Sequence, residues 1–144
     1  ADNFHAEVTL KDLNFDGQDD IAIPLGNYGN QRIQYEDGYL WDKTQKTYVP
    51  VKQLKEIANL RIDKEERCLF SFSRESAASY HYERYEYVDA EFVKTAELIQ
   101  TYRQAGGKPL FTEKHYQKGK GMRVVHSSVP IHEISHYWLK IVQK

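Results

Sequence analysis

The chain has 144 residues, 20 of them basic and 21 acidic, for a formal net charge of −1. That length fits one domain, residues 1–144, with a single adequate core. The charge balance leaves no basic footprint for nucleic acid and no polybasic membrane anchor, and no apolar run approaches the roughly 20 residues that span a bilayer, so no membrane insertion is expected. Aromatic content is 13%, with 11 tyrosines against 6 phenylalanines, a balance that favours strands and a tyrosine-bearing surface over a leucine-rich helical bundle.

Residues 6–10 alternate as a strand and lead into Asp12-Leu13-Asn14-Phe15-Asp16-Gly17-Gln18-Asp19-Asp20, followed at once by Ile21-Ala22-Ile23. This segment places side-chain oxygens at positions 1, 3, 5 and 9 of a tight loop and glycine at position 6, where the backbone must turn sharply. Carboxylates forced this close repel one another unless a divalent cation lies between them. The expected cofactor is therefore Ca2+, with Asp12, Asn14, Asp16 and Asp20 as side-chain ligands and the carbonyl of Gln18 at position 7. The loop is not a complete EF-hand: Ile23 occupies position 12, where a bidentate glutamate would stand, and a strand rather than a helix follows. An Asp/Asn/Gly-rich turn without metal is the plainer alternative.

Residues 26–30 read as a loop, and residues 32–41 as a strand interrupted by the turn signal Glu36-Asp37-Gly38. Residues 51–59 suit a short helix or an irregular crossing. Residues 68–74 and 80–88 alternate strongly and flank the small-residue loop 75–79. Cys68, the one cysteine, stands in an apolar stretch and reads as a buried small hydrophobe, since no internal disulfide partner exists. The segment 91–104 fits a helix capped by Asp89 and ended by Gly106, or a strand returning from a hairpin tip at Asp89-Ala90; the hairpin is favoured. Residues 110–116 and 122–127 form two more strands joined through Gly119-Lys120-Gly121.

Near the C-terminus, His132-Glu133-Ile134-Ser135-His136 matches the helical zinc-hydrolase pattern. No histidine, aspartate, glutamate or cysteine follows His136 to complete the ligand set. A terminal strand with Ile134, Trp138 and Val142 on one face fits as well and would hold the two histidines about 13 Å apart, too far to share an ion. The zinc hydrolase is the minor reading. With no Gly-x-Ser-x-Gly elbow, no phosphate-cradling glycine motif and no activating context for Cys68, the chain is not expected to be an enzyme. Glu83 and Glu86 read as the solvated face of a strand.

The loop at residues 12–23 resembles the calcium loop shared by integrin alpha chains and bacterial FG-GAP and VCBS repeats. A single copy near the start of a small, tyrosine-rich chain is similar, more specifically, to bacterial periplasmic proteins of a propeller-like β fold. Some of these are immunity proteins against secreted lysozyme-like peptidoglycan hydrolases, in the setting of type VI or type IV secretion. The likeness extends less sharply through Tyr39-Leu40-Trp41, Asn59-Leu60, residues 71–74 and residues 80–87. The related lysozyme inhibitors insert a Ser-Gly-x-x-Tyr loop into the enzyme cleft. Here Ser76 and Tyr80 match that motif, while Ala77 stands where it has glycine, a costly exchange if a positive φ is needed.

The resemblance implies a mainly β, antiparallel, propeller-like or sandwich-like fold with a hairpin calcium loop and at most one or two short helices. It implies a periplasmic chain whose leader has been removed, neutralising a secreted peptidoglycan hydrolase with Ser76 and Tyr80 as partner-binding residues. A loop with so few charges suits surroundings where calcium is near millimolar, which agrees with that compartment. A calcium-stabilised structural or adhesion module without an enzyme partner is the alternative.

Overall fold

The computed structural model describes residues 8–28, 33–103 and 106–142, without the side chains at 27 and 28. The expected strand start at Ala6, the loop residues Gly29 and Asn30, the strand start at Arg32 and the segment end at Gln104 lie outside the described residues. The fold is mainly β and antiparallel, with strands β1 (Thr9–Lys11), β2 (Asp20–Tyr28), β3 (Ile33–Asp42), β4 (Thr47–Pro50), β5 (Arg61–Asp63), β6 (Cys68–Ser76), β7 (Ser79–Val88), β8 (Glu91–Thr101), β9 (Leu110–Gln117) and β10 (Gly121–Val129). Two sheets form, ordered β1-β2-β3-β4 and β10-β9-β8-β7-β6-β5, rather than the repeated blades of a propeller. The helical content among the described residues is confined to short 3-10 turns at Lys52–Glu56, Ile131–Glu133 and His136–Trp138. None of it is long and apolar enough to cross a membrane.

By its internal contacts the chain divides into two compact units, residues 1–69 and 70–144. In the first, Leu13, Ala22, Leu40, Leu54, Ile57 and Ala58 are buried. The pairs Leu10↔Ile21 and Ile21↔Tyr39 set the register of the meander, and Asp42 closes β3 to β4 by accepting the amides of Thr44 and Gln45 at 2.9 and 3.0 Å. Glu36-Asp37-Gly38 is not the expected turn but the middle of β3. Its glycine has another use: a Cβ at Gly38 would collide with Leu54 Cδ1, so the 3-10 turn at Lys52–Glu56 can seat Leu54 only over a bare backbone.

In the second unit the core is Phe70, Tyr82, Ala96, Leu98, Phe111, Ile134, Trp138 and Val142, with Trp138 packed edge-on to Phe70 at 5.8 Å. Residues 91–101 are a strand, and Asp89 and Ala90, at φ 50° and 63°, make the expected two-residue hairpin tip. The pairing of β7 with β8 slips by one residue at Thr95, a bulge that breaks strict alternation and lends the segment its helical look. The C-terminal stretch is not a strand. Its backbone closes on itself through Glu133 N–H to the Pro130 carbonyl at 3.0 Å and Trp138 N–H to Ser135 at 3.2 Å. Ile134, Trp138 and Val142 are buried as expected, because a spacing of four satisfies a strand and a chain of tight turns alike.

Candidate metal loop and partner-binding hairpin

The loop between β1 and β2 is anchored at both ends by burial. Leu13 and Asp20 are fully buried, and the Asp20 carboxylate accepts the Leu13 amide at 2.8 Å and the Trp41 amide of β3 at 2.9 Å. Asp12 accepts the amides of Gly17 at 2.8 Å and Asp16 at 3.3 Å, while Asp16 accepts that of Gln18 at 2.9 Å. Gly17 takes φ 86°, the left-handed turn that a sixth-position glycine supplies, and Phe15 takes φ 62°, held by a 2.7 Å bond from Arg67 to its carbonyl. These contacts wrap the chain around a centre of oxygen atoms. Carboxylate oxygens of Asp12, Asp16 and Asp20 lie within 4.8 Å of one another.

The donor set fits a hard cation. The Asn14 amide stands between Asp12 and Asp16, where its NH2 donates to Asp12 Oδ1 and Asp16 Oδ1 at 3.2 Å in the ion-free loop; rotated about its last bond, it would present its oxygen to a cation at the same place. Burial raises the pKa of Asp20 above the ordinary aspartate value; the Trp41 and Leu13 amides oppose this, and the charges of Asp16 and Asp12 add to it. Its two oxygens keep second lone pairs after accepting the amides.

The residues 76–80 occupy the hairpin joining β6 and β7, which is tighter than the expected loop: only Ala77 and Ala78 lie between the strands. Residues 74–78 are exposed. The tip is braced by the Ala78 amide to Ser76 Oγ at 3.2 Å and by Arg74 Nε to the Ser76 carbonyl at 3.1 Å. Ala77 keeps a negative φ, so this turn has no need of glycine. Tyr80 stands at the base, half-buried, stacked on Phe72 at 5.9 Å with the Arg74 guanidinium over its ring at 5.6 Å.

His132 and His136 belong to separate 3-10 turns and are exposed, and Glu133 lies 4.0 Å from His132 itself. Two polar hubs in the second unit escaped the sequence reading. Glu97 is bonded to His81 at 2.6 Å, to the Tyr116 hydroxyl at 3.1 Å and to Lys94 at 3.4 Å, and Lys94 also bonds Glu83 at 3.0 Å. Glu83 is thus a network member rather than a solvated strand residue. His81, Glu83 and Glu97 offer donor atoms close enough for a metal, but the Lys94 ammonium already stands between the two carboxylates. Glu113, fully buried, accepts the Ser135 amide at 3.0 Å, the Ser135 hydroxyl at 2.5 Å and His115 at 2.6 Å. The signal for both was a glutamate inside an apolar strand pattern, Ala96-Glu97-Leu98 and Phe111-Thr112-Glu113.

The class these features define is a mainly β chain of two antiparallel sheets with an acidic loop at the first hairpin. No family model matches the sequence, and no curated protein matches it. A solved structure, that of a Xanthomonas type IV secretion system related protein, matches at a TM-score of 0.70 and 24% identity. The match covers 88% of this chain and 61% of that one, so the chain spans about three fifths of its neighbour's length. At that identity the likeness is one of fold.

Proposed function

We propose that this protein is a calcium-binding periplasmic immunity protein that occludes the active-site cleft of a secreted, lysozyme-like peptidoglycan hydrolase. The observation that carries the reading is the β6–β7 hairpin, whose exposed tip is braced by its own side chains and so loses little freedom on entering a cleft. Glycosidase clefts hold paired carboxylates. Arg74, the Ser76 hydroxyl and the Tyr80 hydroxyl supply donors of matching chemistry, and the Tyr80 ring, fixed by Phe72, is a rigid aromatic anchor.

The calcium loop has a supporting role. Asp12, Asn14, Asp16, the Gln18 carbonyl and Asp20 would hold the ion, which when bound neutralises the carboxylates and stabilises the first unit. The secretion-associated setting is carried over from the neighbour of like fold, a type IV secretion system related protein, as part of this proposal. The same loop would serve a structural or adhesion module with no enzyme partner, and the two readings separate on one experiment.

Immobilised protein is used to capture hydrolases from periplasmic and secreted extracts, and the recovered enzyme is titrated with wild type, Ser76→Ala and Tyr80→Phe. Wild type should extinguish activity at one equivalent. Tyr80→Phe keeps the stacking on Phe72 and loses only the hydroxyl, so it should weaken inhibition by about tenfold without lowering the melting temperature. A hydrolase that stays active when saturated would remove occlusion from consideration.

A further inference from the structure

The β7–β8 and β9–β10 turns lie at one end of the second sheet, joined by the ion pair of Lys118 with Asp89 at 3.3 Å. Beside them is an open depression of about 490 Å3 lined by Thr95, His115, Gln117, Lys120, Gly121 and Arg123, with Tyr116 adjoining. Its construction follows from the register. Arg123 pairs with His115 and Gly121 with Gln117, so alternate side chains of β9 and β10 stand on one face. Gly121, at φ 75°, leaves open the space beside Gln117 that a larger residue would fill. The β8 bulge adds Thr95 to the rim.

The chemistry of the lining is one-sided. Lys120 and Arg123 bring two cations, no carboxylate lines the depression, and among the described residues neither cation has an acidic partner within ion-pair distance. The His115 ring is fixed from behind: its Nε2 bonds the buried Glu113 at 2.6 Å, and Glu113 is locked by Ser135. One wall is therefore preorganised, and the two cations are exposed beside it.

We propose that this depression is a binding site for a small anionic sugar, a sugar acid or a sugar phosphate. The Arg123 fork suits the paired oxygens of a carboxylate or phosphate, with Lys120 as a second point charge. The Thr95 hydroxyl, which donates its proton to the Arg84 carbonyl at 3.5 Å, can accept from a ring hydroxyl, the Gln117 amide offers both donor and acceptor, and the volume is within the range of small-ligand pockets. The site does not depend on the calcium loop or on the hydrolase reading.

The test is a titration of the whole 15N-labelled chain, with glucuronic acid, glucose 6-phosphate, inorganic phosphate and glucose as separate probes. Both anionic sugars should shift the amides of His115, Gln117, Lys120, Gly121 and Arg123 saturably at millimolar concentration. Glucose should bind at least about tenfold more weakly, since it lacks the group that Arg123 and Lys120 hold. Lys120→Ala with Arg123→Ala should cost about tenfold or more, and Arg123→Lys, which keeps the charge and loses the fork, should cost several-fold while every amide outside the depression stays in place. Unshifted amides with both anionic sugars, or undiminished binding in the double variant, would overturn the site. Inorganic phosphate binding as tightly as glucose 6-phosphate would overturn its sugar specificity.

Discussion

Asp20 in the first unit and Glu97 and Glu113 in the second are all carboxylates that folding removes from water, yet their neighbours differ in sign. Burial works to raise all three pKa values. For Glu97 it is outweighed by the bond to and charge of His81, the charge of Lys94 and the Tyr116 hydroxyl; for Glu113, by the Ser135 hydroxyl and amide and by His115. Both glutamates end below the ordinary value. For Asp20 the two amides do not suffice and the neighbouring charges are those of Asp16 and Asp12, so its pKa ends above the ordinary one. The second unit brings its own counter-charges, whereas Arg67, a cation that reaches the first-unit loop, bonds a carbonyl and not a carboxylate. That contrast is the physical basis for reading the loop, and not the Glu97 cluster, as a place for an external cation.

The largest expected effect belongs to the self-compensated side. Glu113→Ala removes the acceptor for the Ser135 amide and hydroxyl and for His115, and should lower unfolding stability by about 3 kcal/mol, equally in EDTA and in calcium. Urea denaturation measures it. A loss that calcium restores would break the contrast between the units.

Acid should distinguish the two sides next. Because the folded pKa values of Glu97 and Glu113 are depressed, their contribution is fully present above the unfolded value of 4.5 and is lost as pH falls through the folded values. The sign for Asp20 is opposite: its folded pKa exceeds 3.8, so its ionisation in the calcium-free fold opposes stability, and protonation relieves that burden. In EDTA, the acid-side loss of stability should therefore shrink in the double variant Glu97→Gln with Glu113→Gln. An acid limb unchanged in that variant would place the pH sensitivity elsewhere.

Calcium itself should have a smaller effect. With a dissociation constant near 0.1 mM and about 1 mM free ion, linkage gives roughly 1.4 kcal/mol, visible as a rise in melting temperature that Asp16→Ala abolishes. Metal-free protein whose melting curve ignores added calcium would refute the site.

How much of this was legible in the sequence follows the range of the interactions. The clustering of the Asp12, Asp16 and Asp20 carboxylates and the turn at Gly17 could be read because these residues stand within nine positions of one another, so the pattern is local. The hairpin at Asp89-Ala90 and the glycine-bearing β9–β10 turn were legible for the same reason. Gly38 was misread because its constraint comes from Leu54, sixteen residues on, and a glycine after Asp looks like a turn whatever stands above it. The C-terminal turns were misread because burial at every fourth residue does not distinguish a strand from tight turns. Glu97 and Glu113 showed only as glutamates inside apolar strand patterns: what makes them hubs, their partners His81 and Ser135, lies on other segments, 16 and 22 residues away.

The smallest effect concerns Arg67 and separates two roles it could have at the loop. Its guanidinium donates to the Phe15 carbonyl at 2.7 Å, where φ is 62°, and so holds a left-handed residue between ligand positions 3 and 5. If this is positioning, Arg67→Ala frees the loop before the ion arrives, and calcium affinity should fall by about threefold, some 0.6 kcal/mol, since a preorganised loop loses less entropy on binding. If Arg67 instead acted as a resident counter-charge, its removal would deepen the negative potential and calcium would bind more tightly. Calorimetric titration of wild type, Arg67→Ala and Arg67→Lys reads the sign directly. Lysine keeps the charge but loses the fork, so for a positioning role it should resemble alanine more than arginine. Tighter binding in Arg67→Ala would show that the first unit, like the second, carries part of its own compensation.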